Sequence, residues 1–174
     1  MNRVPRTIWL ALAVGVIMLA GAFVIPTSRA TLRVAAQTDT GVNVNIYATE
    51  FSFRVSPPTV SAGLVHFVFF NASQTYVHEV WVYPQDQPQL AQMLALKRAG
   101  TDADENDYLQ GIAGDVEDVA PGQVATFDAL LTPGTYEMGC FKNTDITGQT
   151  MNHYDMGMHT LFTVTPLTPP DAGN

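Results

Sequence analysis

The residues best suited to chemistry lie near the C-terminus, around a single cysteine. The segment 134–164 contains Cys140, which is the only cysteine of the chain, together with two of the four histidines and four of the seven methionines. One thiolate, two imidazoles and a thioether are the ligands of a mononuclear electron-transfer copper site, in which two histidines and a cysteine form a trigonal set and a methionine binds weakly along the axis. The residue types in this segment therefore predict a copper site.

Each candidate ligand also has a simpler interpretation. A free cysteine is among the most often buried residues and commonly has no function beyond packing, and a histidine taken alone, such as His78, is more often structural than a ligand. His66 lies in the middle of the apolar run Leu64–Phe70 and is interpreted as structural. The cysteine, the other histidines and the methionines occur together and in order, and this combination favours a metal site over separate structural roles.

Composition and charge exclude several classes of function. The formal net charge is −8, and five basic residues stand against sixteen acidic ones from Thr31 onward, so the sequence offers no basic stripe that would bind nucleic acid. One cysteine excludes an intramolecular disulfide, a CxxC motif and a dinuclear copper centre bridged by two thiolates. The hydrolase and nucleotide-binding motifs GxSxG, HExxH, P-loop and Rossmann glycines are missing from the sequence, and four histidines cannot supply both this site and a trinuclear copper cluster. We therefore predict that the protein is not an enzyme.

The N-terminal segment is predicted to direct the chain out of the cytoplasm. Arg3 and Arg6 precede an uncharged apolar run from residue 8 to residue 25, and Ser28-Arg29-Ala30 fits a small-x-small cleavage site. The run is also just long enough to span a bilayer as a helix, so a cleaved signal peptide and a retained membrane anchor are both open. In either case the arginines before the run place the acidic domain outside the cytoplasm, in the periplasm or at the cell surface.

The remainder of the chain has the alternating pattern of a β protein. Apolar and polar residues alternate in segments such as Val42–Tyr47 and Phe51–Val55, and prolines and glycines mark the turns. Helical spacing is limited to the stretch that begins near Pro88 and ends at Gly100, and the acidic residues 102–107 are predicted to form a solvated loop. Seven or eight short strands with one helical insertion predict an all-β fold, a Greek-key antiparallel β-sandwich.

These elements imply a single folded domain between two terminal segments. We predict a signal peptide or membrane anchor over residues 1–30, a linker over 31–41, the β-sandwich domain over 42–166 and a tail over 167–174.

Loops at one end of a sandwich can bring the candidate ligands together. His78 lies on the strand that follows a turn at residues 71–74, and Cys140 ends the strand that begins at Tyr136. The histidines of the C-terminal segment follow at or before the last strand. Two adjacent strands are therefore expected to frame the site, with one ligand upstream and the others on the C-terminal hairpin.

From about Val42 to Val164 the chain resembles the cupredoxin, or type 1 blue-copper, family. The motifs that carry the resemblance stand here as EFSF, NASQTYVHEV, APGQ, TPGTYEMGC and HYDMGMHTLFTV. The resemblance implies one copper ion per chain and the exchange of single electrons with redox partner proteins, whose surfaces could be basic because this chain is acidic. It also implies the ligands, which are His78, Cys140 and His153 in the equatorial positions and Met158 in the axial position.

One departure from the family pattern concerns the second histidine. Family members commonly place two to four residues between the cysteine and this histidine, whereas Phe141–Asn152 supplies twelve. Loop-closure entropy grows slowly with length, so the insertion is tolerable, but a ligand loop of this length is expected to lose stiffness. His159 is therefore an alternative to His153. We favour His153 because His159 begins the last strand and follows the matched methionine.

Several roles stay open at the level of sequence. Asn71 and Glu79 are candidates for orienting the histidines, and Met156 is a minor alternative axial ligand. The thioethers of Met138, Met151 and Met156 either help to capture Cu(I) or simply pack within the protein. The methionine-containing loop leaves copper delivery or resistance as an alternative function, and a metal-free cupredoxin-like interaction domain is a third hypothesis.

Overall fold

The computed structural model describes residues 41–167. The predicted signal or anchor (residues 1–30, with the apolar run 8–25), most of the predicted linker (residues 31–40) and residues 168–174 of the tail lie outside the described residues. Within the described part of the chain, no helix is long and apolar enough to cross a membrane.

Eleven strands and two helices make up the described chain. Three of the strands, β3, β9 and β10, are short segments that the alternating pattern does not reveal, and they account for the excess over the predicted seven or eight. The elements are β1 (Val42–Ala48), β2 (Phe53–Ser56), β3 (Thr59–Ser61), β4 (Gly63–Asn71), β5 (His78–Pro84), α1 (Leu90–Arg98), α2 (Glu105–Tyr108), β6 (Gly114–Val119), β7 (Val124–Leu131), β8 (Gly134–Gly139), β9 (Asn143–Ile146), β10 (Gln149–Asn152) and β11 (His159–Thr165).

Two sheets pack face to face and confirm the predicted sandwich. One sheet has the strand order β2-β1-β4-β7 and the other has the order β3-β11-β8-β5-β6. Alternate residues along β1 and β4 are buried, as their pattern of apolar residues predicts. The buried residues of both sheets form one apolar core, which includes Ile46, Phe67 and Phe69 from the first sheet and Val82 and Phe162 from the second.

The sheets are mixed, whereas the sequence predicts antiparallel pairing throughout. β1 runs parallel to β4, and β3 runs parallel to β11. Both parallel pairs arise because the chain leaves the first sheet after β2, contributes β3 to the edge of the second sheet and then returns with β4 alongside β1. Alternation fixes which side of a strand faces the core, but it does not fix the direction of the neighbouring strand.

The predicted helical insertion is present, and it is larger than the sequence indicates. α1 begins at Leu90, two residues after the proline expected to open it, and ends before Gly100. The acidic stretch 102–107 is a solvated loop only in part, because α2 begins within it and Glu105 is buried. The Lys97 ammonium lies 2.5 Å from the Glu105 carboxylate. This pairing makes the burial of the carboxylate tolerable.

The two helices build a second apolar core on the outer face of β5. Trp81 and Tyr83 belong to this core together with Leu94 and Leu109, whereas the alternate residues of β5 belong to the main core. The run His78–Tyr83 is consequently buried on both faces of the sheet. The strand that carries the first candidate ligand is therefore held between two packed layers.

Candidate metal centre

The structure brings His78, Cys140 and His153 together. Each of the three offers one ligand atom, and these atoms lie within 4.8 Å of one another. The Nδ1 atoms of the two histidines are 3.1 Å apart, and the cysteine Sγ lies 3.9 Å from the Nδ1 of His78 and 3.4 Å from the Nδ1 of His153. All three side chains are buried, with at most 1% of any of them exposed. The ligand atoms thus converge on one point that solvent does not reach.

Neighbouring strands set the positions of the first two ligands. His78 is the first residue of β5, and Cys140 follows the last residue of β8. These strands pair directly, with Trp81 opposite Gly139, so their ligand-bearing ends lie side by side at one end of the sandwich. His78 and Cys140 therefore lie at neighbouring ends of two adjacent strands, as the sequence analysis expects.

Met158 lies beside two of the converging residues. The Cys140 backbone N–H donates to the Met158 carbonyl at 3.0 Å, and the Met158 N–H donates to the His153 carbonyl at 3.0 Å. Met158 is fully buried and packs in the same core as Cys140. The other three methionines of the C-terminal segment differ from it: Met138 is buried within β8, and Met151 and Met156 are half-buried.

Burial sets the protonation states of the ligand atoms. Loss of water contact lowers the pKa of His78 to about 4, against the opposing effects of Glu50 and the Thr49 backbone. Burial lowers the pKa of His153 to about 4 as well, assisted by His78 and then by a nearby lysine. Burial also raises the pKa of Cys140 to about 12. At neutral pH both imidazoles are therefore neutral and able to bind a metal, and the thiol keeps its proton until a metal displaces it.

The donor set fits a copper ion. Two imidazole nitrogens and one thiol sulfur face each other, and a buried thioether residue adjoins them. Soft sulfur ligands combined with imidazole favour copper over hard cations such as Mg²⁺ or Ca²⁺, which take oxygen ligands. The geometry of the three converging atoms also matches the trigonal part of the ligand set that the resemblance implies.

The twelve residues between Cys140 and His153 form a hairpin, in place of the loosely held loop that their length suggests. β9 pairs with β10 in antiparallel register, from Asn143 opposite Asn152 to Ile146 opposite Gln149. Because both ends of the hairpin meet at its base, the chain returns to the cysteine after the insertion. The His153 N–H donates to the Lys142 carbonyl at 2.8 Å.

The Asn152 side chain holds the base of the hairpin together. Its Nδ2 donates to the Phe141 carbonyl at 2.8 Å and to the Asn143 Oδ1 at 2.9 Å, and its Oδ1 accepts from the Tyr154 N–H at 3.1 Å. Asn152 thus links Phe141, which follows Cys140, to Tyr154, which follows His153. Spacing in the sequence gives no sign of this role.

Helix α1 attaches to the same hairpin and to the turn that follows it. The Arg98 guanidinium binds the Asp155 carboxylate with two hydrogen bonds of 2.6 Å and 2.5 Å. The Asn143 side chain donates to the Lys97 carbonyl at 2.8 Å. The helical insertion therefore supports the segment that carries His153, through contacts that the sequence does not indicate.

Asn71 and Glu79 act on the backbone near the site, and neither makes a hydrogen bond to an imidazole ring. The Glu79 carboxylate accepts from the Phe141 N–H at 2.9 Å and lies 3.3 Å from the Lys142 ammonium. Burial raises the Glu79 pKa to about 7, although the lysine opposes the shift. The Asn71 Nδ2 donates to the carbonyls of Tyr76 and Val119 at 2.8 Å and 2.7 Å. Both side chains therefore hold backbone segments near His78 and Cys140. They do not orient the histidine rings directly, which is the role that the sequence suggests for them.

The remaining histidines lie outside the converging set. The His159 side chain is 44% exposed, lies 3.1 Å from the Glu137 carboxylate and stacks on Tyr154 at 4.3 Å. His66 is half-exposed and lies 2.6 Å from the Asp128 carboxylate on the neighbouring strand. Tertiary structure thus separates His153 from His159, which the sequence leaves as alternatives.

We predict that Asn152→Ala destabilises the protein and loosens the site. The substitution leaves the Phe141 carbonyl and the Tyr154 N–H without their partner, and loss of partners for buried polar groups costs about 1–3 kcal/mol. Urea denaturation monitored by tryptophan fluorescence measures the change. Gln149→Ala, at an exposed position of the same hairpin, serves as the control and should change the free energy of unfolding by less than about 0.5 kcal/mol. Equal effects of the two substitutions would contradict the assigned role of Asn152.

Comparison with known proteins relates the fold to copper proteins. No family model matches the sequence, and no curated protein matches it. Among solved structures, auracyanin A from Chloroflexus aurantiacus, described as a "blue" copper protein, matches with a TM-score of 0.51 at 20% identity over 72% of this chain and 99% of its own. Dithionite-reduced auracyanin from Roseiflexus castenholzii matches with a TM-score of 0.51 at 18% identity over 72% of this chain and 98% of its own. At this level of identity the similarity establishes the cupredoxin fold.

Proposed function

We propose that this cupredoxin-fold chain is an electron-transfer protein that holds one copper ion through His78, Cys140, His153 and Met158. The observation that carries the proposal is the convergence of two imidazole Nδ1 atoms and one thiol within 4.8 Å in a buried site. The fold similarity to a "blue" copper protein supports the same conclusion. When bound, copper supplies a one-electron couple between Cu(II) and Cu(I).

Each proposed ligand has a distinct role. The Cys140 thiolate would bind copper covalently and supply the electronic route out of the site, and the imidazoles of His78 and His153 would complete the set of converging ligands. The Met158 thioether would be a further, weak ligand that tunes the reduction potential. The hairpin and its Asn152 contacts keep His153 in place. Because the hairpin holds His153 in place, we expect the site to rearrange little when copper gains or loses an electron.

We further propose that the sandwich domain, residues 42–166, works outside the cytoplasm. The support is the N-terminal sequence, in which Arg3 and Arg6 precede the apolar run 8–25. Residues 1–30 would act as a signal peptide or as a membrane anchor. N-terminal sequencing of the exported protein separates these two outcomes, because a cleaved signal gives a new N-terminus near residue 31.

The proposal is tested by optical titration of the metal-free chain with Cu(II). We expect an intense visible sulfur-to-copper charge-transfer band that saturates at one copper per chain, followed by a reversible one-electron wave in protein-film voltammetry. The band establishes the thiolate ligand, and the reversible wave with fast exchange supports an electron carrier. Colourless binding of Cu(I) without reversible cycling would instead support copper delivery, and the half-buried Met151 and Met156, two and three residues away from His153 in the sequence, favour that second candidate. If the chain binds no copper, the proposal is wrong.

We predict that copper affinity rises about tenfold for each pH unit between about pH 5.5 and 8. The free thiol is protonated throughout this range because burial raises the Cys140 pKa to about 12. Each binding event therefore releases one proton from sulfur. The histidines add none, because burial lowers the pKa of His78 and of His153 to about 4. Competition titrations against a chelator of known affinity give the slope, and a pH-independent affinity would contradict the assigned protonation states.

A further inference from the structure

A stack of four rings leads from the second apolar core to the protein surface. Tyr83 lies at its inner end and is followed by Phe141, Tyr154 and His159, with centroid distances of 6.0 Å, 5.4 Å and 4.3 Å and interplanar angles of 29°, 18° and 15°. Tyr83 and Phe141 are buried, Tyr154 is half-buried, and the His159 side chain is exposed. A molecule at the surface can therefore come close to the Tyr154 ring without entering the core.

Gly139 makes room for this stack. A Cβ atom at this position would lie 2.9 Å from the Tyr83 hydroxyl oxygen, 3.0 Å from Cζ of Phe141 and 3.3 Å from Cδ2 of Tyr154. Protein interiors are close-packed, so a side chain here would push the rings apart. The stack therefore depends on a residue without a side chain in the middle of the sheet.

The Tyr154 phenol donates a hydrogen bond to a buried carboxylate. Its hydroxyl lies 2.6 Å from Oε1 of Glu137, and the Nδ1 atom of His159 lies 3.1 Å from the same oxygen. The Glu137 side chain is only 8% exposed. A group that takes a proton from another must lie within about 2.6–3.2 Å of it. Glu137 is thus in position to accept the phenolic proton.

Tyr154 differs in this respect from the other tyrosines. The chain has six of them, and within residues 41–167 only the Tyr154 hydroxyl donates to a carboxylate. Tyr136 is the nearest equivalent, but its buried hydroxyl bonds to the side chain and backbone of Thr132, which are not bases. The Tyr83 hydroxyl is buried and has no hydrogen-bond partner in the same range. Tyr154 is therefore the phenol that is prepared to lose its proton.

The simpler explanation of these contacts is structural. Buried polar groups are usually paired, and aromatic rings pack well against one another. A structural bond needs only a hydrogen-bond acceptor, whereas this acceptor is also a base. The stack also adjoins the candidate metal centre, because Phe141 follows Cys140 and Tyr154 follows His153. An oxidisable ring near the surface, with a base on its hydroxyl, favours a redox role.

We propose that Tyr154 is a redox-active tyrosine, which gives one electron to a strong one-electron oxidant at the protein surface while Glu137 takes up its proton. In this step the phenol O–H bond breaks, the proton moves to the Glu137 carboxylate, the oxidant gains one electron, and a neutral tyrosyl radical remains. Oxygen-derived radicals are oxidants of this class. A phenol loses an electron more readily when its proton leaves in the same step, because the protonated radical is a very strong acid.

The first test asks which tyrosine is oxidised. The metal-free full chain, in a non-ionic detergent, is mixed with tris(bipyridine)ruthenium(II) and a quencher, and a laser flash generates the Ru(III) oxidant. Transient absorption and EPR spectroscopy follow the tyrosyl radical. We expect Tyr154→Phe, which keeps the ring in the stack, to lower the rate constant for radical formation at least about tenfold, and Tyr136→Phe to leave it within about twofold. Equal rate constants in the two variants would overturn the inference.

The second test asks whether Glu137 acts as a base or only as a structural acceptor. Glu137→Gln keeps the size of the side chain and an oxygen that accepts the phenolic hydrogen bond, but the amide is not a base. It should lower the rate constant at least about tenfold, whereas Glu117→Gln, the same change on the edge strand β6 of this sheet, should leave it within about twofold. Thermal unfolding of each variant shows that the fold is retained. An unchanged rate constant in Glu137→Gln would mean that the carboxylate only holds the ring, and the inference would be wrong.

The third test measures the coupling of the electron to the proton. Radical formation in the unsubstituted chain should be slower in D₂O than in H₂O, because the O–H bond breaks in the same step. Equal rates in the two solvents would contradict the proposed proton transfer to Glu137.

The inference goes beyond the proposed function and does not depend on it, because the electron and the proton both come from Tyr154. If the chain binds no copper but the two variants behave as expected, the proposed function fails and the redox-active tyrosine stands. If copper binds with the expected optical band and the radical forms equally well without Tyr154, the tyrosine is not redox-active and the proposed function stands.

Discussion

Cys140→Ser is expected to abolish the intense visible band of the copper-loaded protein completely. The band requires a thiolate bound to Cu(II), and serine offers a hard hydroxyl whose proton is far harder to remove. Copper affinity should fall more than about a hundredfold, since loss of a group that merely supports a ligand already costs about 10–100-fold. Optical titration and a chelator competition measure the two quantities. The expectation follows from the position of Cys140 Sγ, which lies within 4 Å of both histidine Nδ1 atoms.

Two controls make the Cys140→Ser result decisive. Serine is nearly the same size as cysteine, so the circular dichroism spectrum and the cooperativity of unfolding should persist, which excludes loss of the fold as the cause. Met156→Leu replaces a half-buried methionine two residues before Met158, and it should keep the band because the Cys140 thiolate stays in place. Its reduction potential should also stay unchanged, because Met156 is not a proposed ligand. A strong band in Cys140→Ser would exclude the proposed site. A changed reduction potential in Met156→Leu, with the band retained, would instead indicate that Met156 takes the place of Met158.

Exchanging the two C-terminal histidines for alanine, one at a time, should give opposite results. His153→Ala removes one of the three converging ligand atoms, so we expect a loss of copper affinity of more than about a hundredfold and a weakened or absent band. His159→Ala removes a half-exposed ring that pairs with Glu137 outside the converging set. It should leave the affinity within about threefold and the band unchanged, because His159 is not among the three residues whose ligand atoms converge.

The comparison of the two alanine variants decides which histidine completes the site. Both substitutions remove an imidazole from the same short segment, so general effects on folding are matched as closely as the chain allows. Thermal unfolding of the metal-free variants measures any difference in stability. A normal band in His153→Ala together with a lost band in His159→Ala would reverse the assignment. Loss of the band in both variants would mean that the stack of Tyr154 on His159 is required to hold the loop.

The structure also explains why an unusually long ligand segment is compatible with an ordered site. Twelve residues separate Cys140 from His153, and the pattern of residues within them does not indicate regular structure. Backbone pairing between β9 and β10, the Asn152 side chain and the Arg98–Asp155 contact compensate for the length. A closed hairpin contributes few free dihedral angles at its base, which is where Cys140 and His153, two of the proposed ligands, lie.

Sequence alone determined the sandwich and the residue types of the site. Alternation along β1 and β4 assigns one side of each strand to the core, because side chains of successive residues point to opposite faces of a sheet. A lone cysteine followed by histidines and methionines indicates a copper ligand set, because ligand preference is a property of the side chains themselves. Both kinds of information are local, so a few consecutive residues are enough to carry them.

Only the tertiary structure decided how these parts meet. The parallel pairing of β1 with β4, the burial of Glu105 against Lys97 and the position of His153, rather than His159, beside Cys140 and His78 all depend on residues far apart in the chain. The burial of the His153 ring likewise requires Phe51 and Tyr76, from a distant part of the chain, to pack against it. Such features follow from packing and pairing between distant segments, and many arrangements of those segments are compatible with the same local pattern.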